Sequence, residues 1–542
     1  MSSRSIFRSA DTSRWKAVAC AALLLLIGAA GCGGGGHSEG QGTATSIDVP
    51  PAPEPPGDQP GFPFASHLDQ RRITEGGVLF RELFVIGDEL FEARFNALDG
   101  VGALRLPDGA PLPGRFSRAP AGGGRFTGPN SQSCNACHNT PFGTSGGEPS
   151  ANVLQDPSRS GSGGFNTRNT TSLFGAGLLQ RLAEEMTEEL LAIRAAAASA
   201  AQLGGAAVTL PLGSKGVSFG SIRAVRSSGG AVTFDTTAVE GISRDLIVRP
   251  FGWKGDTPSL RNFCRDAALN ELGMEADELV AKSPTGGADP DGDGVEGELS
   301  VGDITAMTVY VAAQESPTTV ERMAGRQRIS PPSAEFSSAA RRGEVLFGQI
   351  GCGTCHVSEL RLLDPVFEEP TSRASGSYLD EDIDPVGTAL DAGRPFRFDL
   401  GREGDFPRPE PHPEGGLRVA LFGDLKRHNM GSSLADAQEM QVVNADGSQA
   451  VDETAFTVGR SVFLTAELWG VGSTSPWLHD GRAATLEEAI LLHGVDAPPP
   501  AGDVARSEAQ EERDAFAGLS AEDREALVTF LKSLILFEEP EE

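Results

Sequence analysis

Two short stretches constrain this chain more than anything else in it: Cys134-Asn135-Ala136-Cys137-His138 and Cys352-Gly353-Thr354-Cys355-His356. Each sets two thiols three positions apart and puts a histidine directly after the second. This is the c-type haem attachment pattern, in which both sulfurs add to the vinyl groups and the adjoining histidine lies under the iron as an axial ligand. A redox dithiol or a zinc site also uses Cys-x-x-Cys, but neither requires a histidine at that same offset twice. The two copies therefore predict two covalently bound haem c groups on Cys134, Cys137 and His138, and on Cys352, Cys355 and His356.

The first residues read as an export signal. Arg4, Arg8, Arg14 and Lys16 precede the apolar run "AVACAALLLLIGAAGC", which is too short for a comfortable membrane span. The run ends in small residues before Cys32 and resembles a bacterial lipoprotein signal, in which the cysteine after the cut carries lipid. The expectation is a periplasmic or outer cell-envelope protein, anchored to the membrane at Cys32. Cys20 falls in the removed segment, and Cys264 reads as a small buried apolar residue. No cysteines remain for a disulfide framework. The formal net charge of −30 argues against nucleic acid or an anionic membrane surface as partner. It suits a basic one, such as a small electron-donor protein.

Composition divides the chain into 1–32 (signal), 33–63 (a Gly/Ser/Pro-rich flexible linker), 64–330 (an N-terminal haem c domain with insertions) and 331–542 (a C-terminal haem c domain). "GGVLFRELF" at Gly76–Phe84 and "GEVLFGQIG" at Gly343–Gly351 match in outline. Each predicts an amphipathic helix ahead of a motif, with a Gly/Pro-rich insertion over 96–130 in the first copy. Apolar residues at 178, 182, 186, 190 and 193 keep helical spacing. Residues 207–248 alternate around "RSSGGAV" and predict a small β-hairpin. Helices are expected near 258–283 and 300–315. Capping boxes at Thr485/Glu488 and Ser520/Asp523 open two more. The fold class is mainly α: two cytochrome c-like haem domains with long loops and a small β-hairpin insertion.

Residues 139–355 contain no histidine, so the first haem has no nearby histidine for its sixth position, and an open iron there permits O₂ or peroxide chemistry. For the second haem His412, His428, Met430, Met440, His479 and His493 all stand as candidate ligands. "DPDGDGVEGE" places Asp289, Asp291 and Asp293 at alternate positions like the start of a calcium loop, with Ser300 where a closing glutamate would stand.

Beyond the two motifs, "SLFGAGLLQRL", "RPFGWKGDTPSLRNF", "FGDLKRHNMGSSLAD" and "LWGVGSTSPWLHDGRAATLEEAILLHG" resemble the bacterial di-haem cytochrome c peroxidase superfamily and, within it, the di-haem oxidoreductase branch. The resemblance runs over roughly 74–536. It implies reduction of hydrogen peroxide at the first haem, with electrons relayed from the second and supplied by a small cytochrome c or cupredoxin. In the peroxidases the methionine that ligates the second haem follows "HDG" by fourteen positions. Here that position after His479 holds His493, which implies a His356/His493 iron of lower potential than a His/Met one. Met430 in "RHNMG" is the rival ligand. Trp253 stands where the family carries electrons between haems. Gln180 and Glu184, spaced i, i+4 on one helix face, stand where it places distal acid/base residues. The alternatives are a di-haem oxygenase or oxidase acting on an organic or protein substrate, and a lipoprotein that only transfers electrons. No spare cysteine pair supports the "thiol oxidoreductase" label used for some of that branch.

Overall fold

The apolar spacing ahead of each motif folds into a helix, and each such helix crosses a later one at a glycine. The computed structural model describes residues 67–96, 98–101, 131–144, 146–147, 153–155, 165–280, 289, 294–371, 395–404, 406–436, 440–441 and 457–538. The short helix α1 (Gln70–Thr74) leads into α2 (Phe80–Glu92), which buries Leu83, Gly87, Leu90 and Phe91. Positions 83, 87 and 90 form one stripe of a 3.6-residue repeat. There follow α3 (Ala176–Gly204), α4 (Leu260–Ala267), α5 (Asp277–Val280) and α6 (Val301–Ala312). The stripe of α2 lies on α6 so closely that a Cβ on Gly87 would fall 2.2 Å from the Ala306 carbonyl oxygen.

The second half repeats the device. After α7 (Val320–Gly325), α8 (Ala334–Gln349) leads to the second motif. Then come α9 (Leu486–Leu491), α10 (Gln510–Ala517) and α11 (Ala521–Lys532). α8 crosses α11 at Gly343, where a Cβ would fall 2.0 Å from the Ala526 carbonyl oxygen. Ser333, Thr485 and Ser520 cap α8, α9 and α11 by accepting from the N–H three residues on. The reciprocal bond expected from Glu488 to Thr485 goes instead to the Ala484 N–H, at 2.8 Å. No helix among the described residues is long and apolar enough to cross a membrane.

The expected hairpin over 207–248 is a three-stranded antiparallel meander of Val208–Ser214, Val217–Arg226 and Val232–Asp235. "RSSGGAV" makes its second turn. The first turn is Lys215-Gly216, both at positive φ (49° and 85°), and a lysine in the first place hides that turn from a sequence reading. Among the described residues there are seven small sheets of two or three strands and no large one.

Two apolar cores organise the body. The first draws on α2, α3, α4 and α6, and also on Leu360, Phe367, Phe398, Leu417, Leu421 and Leu425. The second gathers Phe347, Phe422, Phe516, Leu527, Phe530 and Leu531. Leu360, Phe367, Phe398, Leu417, Leu421 and Leu425, placed by sequence in the C-terminal haem c domain, pack with the first core. The signal and linker segments, with Cys32, and most of the 96–130 insertion lie outside the described residues.

Candidate functional site

Each motif is a single 3₁₀ turn, Cys134–Ala136 and Cys352–Thr354. In each the histidine's own N–H bonds back to the first cysteine's carbonyl, at 3.1 and 3.0 Å. A phenylalanine from the preceding helix meets each ring, Phe91 at 6.0 Å from His138 and Phe347 at 6.3 Å from His356. Behind the first motif the chain must pass very close: a Cβ on Gly147 would lie 1.8 Å from the Cys137 carbonyl oxygen. Before the second, Gly351 takes φ 97°, where only glycine is at ease.

The same atom orients each imidazole. His138 Nδ1 lies 3.1 Å from the Thr171 carbonyl oxygen, and His356 Nδ1 lies 3.0 Å from that of Phe422. A carbonyl only accepts, so the proton sits on Nδ1 and the lone pair on Nε2, the tautomer a metal ligand needs. His493 follows the rule too, with Nδ1 at 2.8 Å from the Ala489 carbonyl oxygen. Burial, then repulsion from His493, holds the His356 pKa down to about 4 despite the bond to Phe422. Burial lowers that of His493. Both shifts favour the neutral imidazole, and His493 lies near enough to His356 to add to its shift.

The first cysteine of each motif is set in surroundings that disfavour a thiolate. Burial pushes the thiol pKa of Cys134 up to about 12 and that of Cys352 to about 11, whereas redox and zinc-binding cysteines sit where thiolate is favoured. Haem attachment fits this donor set better: paired sulfurs on one turn, and a neutral imidazole aimed by its far nitrogen.

His428, a sequence candidate for the second iron, is engaged otherwise. Its Nε2 bonds Asp424 at 2.9 Å and its Nδ1 bonds Glu508 at 2.8 Å. Burial lowers its pKa, but bonds to Asp424, Cys355 and Glu508 raise it to about 11. An imidazolium with both nitrogens on carboxylates is not an iron ligand. Cys355, Asp424 and His428 bring ligand atoms within 4.8 Å of one another, but that set borrows a motif sulfur. His412 bonds the Glu414 N–H at the tip of an exposed hairpin. Met430 ends the strand Arg427–Asn429 and donates its N–H to the Ser461 carbonyl. The side chain of Met440 lies outside the described residues.

Trp253 lies between the two cradles. Its indole N–H donates to the Asn169 carbonyl at 2.8 Å, two residues before the carbonyl that holds His138. Its own carbonyl accepts from Leu464 at 2.9 Å. Leu464 belongs to the strand Val462–Leu464, which pairs with Arg427–Asn429 beside the second motif. His479 meets the indole edge-on at 6.4 Å and lies on Phe463 at 4.2 Å.

A buried charge network that sequence reasoning left without a role secures this region. Arg168 holds Asp436 with two bonds of 2.9 and 2.8 Å, and Lys254 reaches the same carboxylate at 3.1 Å. The Lys254 ammonium also donates to the carbonyls of Gly459, Arg460 and Val462 and sits 3.6 Å over the Phe463 ring. Burial pulls the Lys254 pKa down to about 8 against Asp436. Burial would raise that of Asp436, but His479, Arg168 and Lys254 together hold it well below the carboxylate range. The only sequence signal was that Lys254, Asp436 and His479 fall inside the quoted stretches "GWKGD", "SSLAD" and "LHDGR".

Gln180 and Glu184 do share a face of α3, bonded to each other at 2.9 Å. Both are buried, 1% exposed each. Gln180 accepts the Leu260 N–H at 2.8 Å, and Glu184 pairs with Arg181. Nearby lies a second buried ion group, Arg261 with Glu278 and Glu369, the last at 2.5 Å. Gln180 and Glu184 thus sit among buried ion pairs. Of the calcium expectation, Asp289 bonds the Gly294 N–H at 3.0 Å, while Asp291 and Asp293 lie outside the described residues.

Two turned-out histidines and two cysteine pairs define a haem-binding redox protein. Residues 415–534 match the family model described as "Di-haem oxidoreductase, putative peroxidase". The match contains His428, Met430, Asp436, His479 and His493 and supports a di-haem redox enzyme. No curated protein matches the chain. Among solved structures, hydrazine synthase of Kuenenia stuttgartiensis aligns over 86% of this chain and 95% of its own, at 14% identity and a TM-score of 0.31. A MauG-like protein associated with microbial copper homeostasis aligns over 57% and 78%, at 17% identity and a TM-score of 0.26. At those scores neither supports an argument about this chain.

Proposed function

We propose that the protein is an exported, lipid-anchored di-haem peroxidase. It reduces hydrogen peroxide to water with electrons from a small cytochrome c or cupredoxin. The observation that carries the reading is the common setting of His138, His356 and His493: three imidazoles with Nδ1 on a backbone carbonyl and the Nε2 lone pair turned away from it. Cys134 and Cys137, and Cys352 and Cys355, would hold the two haems covalently. Bound there, the groups supply one-electron chemistry and, at the first site, a position for peroxide. His493, whose field reaches His356, would hold the second haem together with His356, in preference to Met430. Trp253, bonded to the Asn169 carbonyl and to Leu464, would pass electrons between the two haems. Each peroxide takes two electrons and two protons and leaves as two waters. The acidic surface suits a basic donor, and the signal segment with Cys32 would supply export and anchor.

The test is expression with cytochrome-maturation machinery. Two haems per chain should resist acid-acetone extraction, and C352S/C355S should retain one. H493A should convert the second haem's low-spin ferric resonance to high spin, and peroxide should oxidise a reduced donor. Colourless protein would overturn the whole reading. An unchanged low-spin signal in H493A would overturn the ligand assignment. Product formation that needs O₂ and not peroxide would make the protein an oxygenase.

A further inference from the structure

Glu467 is a carboxylate with one unpaired oxygen, in a place where charge changes. Its Oε1 is buried and meets no hydrogen-bond donor. The next two residues, Leu468 and Trp469, donate their N–H groups to the Leu421 carbonyl at 3.1 and 3.4 Å. Across that contact the Glu467 Cα comes within 3.8 Å of where a Cβ on Gly423 would sit. Glu467 thus lies against the turn Leu421–Asp424, whose Phe422 carbonyl fixes His356. Phe422 and Leu425 hold this turn at positive φ, 53° and 56°, strain that bulky residues adopt only when their surroundings impose it.

A buried carboxylate with one oxygen left undonated is costly when ionised. Burial pushes the Glu467 pKa up to about 7, the charge of Asp424 adds to this, and a backbone hydrogen bond opposes it. Asp424 is the one charged group whose field is felt at Glu467 among the described residues. It is itself engaged by His428 at 2.9 Å and by the Lys426 N–H at 2.9 Å. A group so balanced near neutrality gains or loses its proton when a neighbouring charge changes by one unit.

We propose that Glu467 is a redox-linked proton site, taking up one proton from solvent when the second iron gains one electron. In balance, ferric iron, an electron from the donor, the Glu467 carboxylate and a proton give ferrous iron and the Glu467 carboxylic acid. The inference rests on His356 holding a haem iron. It gives the second site the proton as well as the electron that peroxide reduction consumes.

The test is a mediated potentiometric titration of the second haem in the holoprotein between pH 5.5 and 8.5. The wild-type midpoint should fall as pH rises, by up to about 59 mV for each tenfold drop in proton concentration. Haem propionates titrate nearby, so E467Q decides: it should flatten most of the slope. An equal slope in E467Q, or a flat wild type, overturns the proposal. Should E467Q fail to load haem, redox-difference infrared spectra of the wild type take its place. A protonated-carboxyl band must appear on reduction, and its absence overturns the proposal. Protein with no second covalent haem overturns the functional reading itself, whereas a loaded haem with a pH-independent potential defeats only this step.

Discussion

The two motif cradles are built on one plan and held by different forces. In both, a helix crosses a later helix at a glycine, a 3₁₀ turn follows, and a carbonyl fixes the histidine's Nδ1. The second cradle has an aromatic core: Phe347, Phe422 and Phe530 stack with ring centroids 5.5 to 6.2 Å apart. The first depends on a distant part of the chain. The segment Arg168–Thr171 that holds His138 is itself held by Asp436 and by the Asn169 contacts, N–H to the His479 carbonyl at 2.7 Å and side chain to the Pro476 carbonyl at 2.7 Å. Packing secures a cradle wherever the sequence is apolar. An ionic tether makes the first cradle answer to residues of the second half, around Trp253.

The sharpest way to break this contrast is Asp436→Asn. The change leaves Arg168 and Lys254 as buried cations with a neutral partner, and losing one member of such a group costs about 3–5 kcal/mol. The midpoint of chemical unfolding should fall accordingly. The first haem's spectrum should change while the second haem's stays, and equal disturbance of both would refute the tether.

The helices, their caps and both motifs were legible in the sequence because each depends on neighbours within four residues: Ser520 with Asp523, Cys134 with Cys137 and His138. The carbonyls of Thr171 and Phe422 were not, since any residue offers one and only the folded chain brings it 33 or 66 positions from its histidine. The Arg168–Lys254–Asp436–His479 network was hidden for the same reason, its members being ordinary charges until desolvated together. Gln180 and Glu184 show the opposite limit. Their spacing was read correctly, but spacing says nothing of Arg181 and Leu260, which occupy them. The Lys215-Gly216 turn was missed because a lysine at positive φ carries no signal of its own.

His428 sharpens the contrast, as nothing described beside the first motif resembles an imidazolium pinned by two carboxylates. Its folded pKa, about 11, lies above the unfolded value of about 6.5. The stability it adds is therefore complete below pH 6.5 and is lost as pH rises toward 11. Lys254, lowered to about 8, works in the other direction, adding stability as pH rises from about 8 to 10.4. The difference between wild type and H428Q isolates the first effect. It should be about 1.5–3 kcal/mol near pH 6, the worth of hydrogen bonds to charged groups, and should shrink steadily above pH 7. A difference independent of pH would show that His428 acts by packing alone.

The smallest effect concerns how each motif joins its helix. The second follows α8 through Gly351, which needs no side chain. The first is fastened by Ser133, 5% exposed, whose hydroxyl meets the carbonyls of Phe91 and Glu92 at 3.4 and 3.3 Å. Those carbonyls end α2 and have no partner within the helix. Two long bonds from one hydroxyl belong at the low end of the hydrogen-bond range, so Ser133→Ala should cost about 0.5–1 kcal/mol. The loss should appear as a small drop in Tm with the second haem's spectrum and potential unchanged. An effect of several kcal/mol would mean that the hydroxyl sets the position of His138 through Phe91, and that the first cradle depends on its own helix end as much as on the distant carboxylate of Asp436.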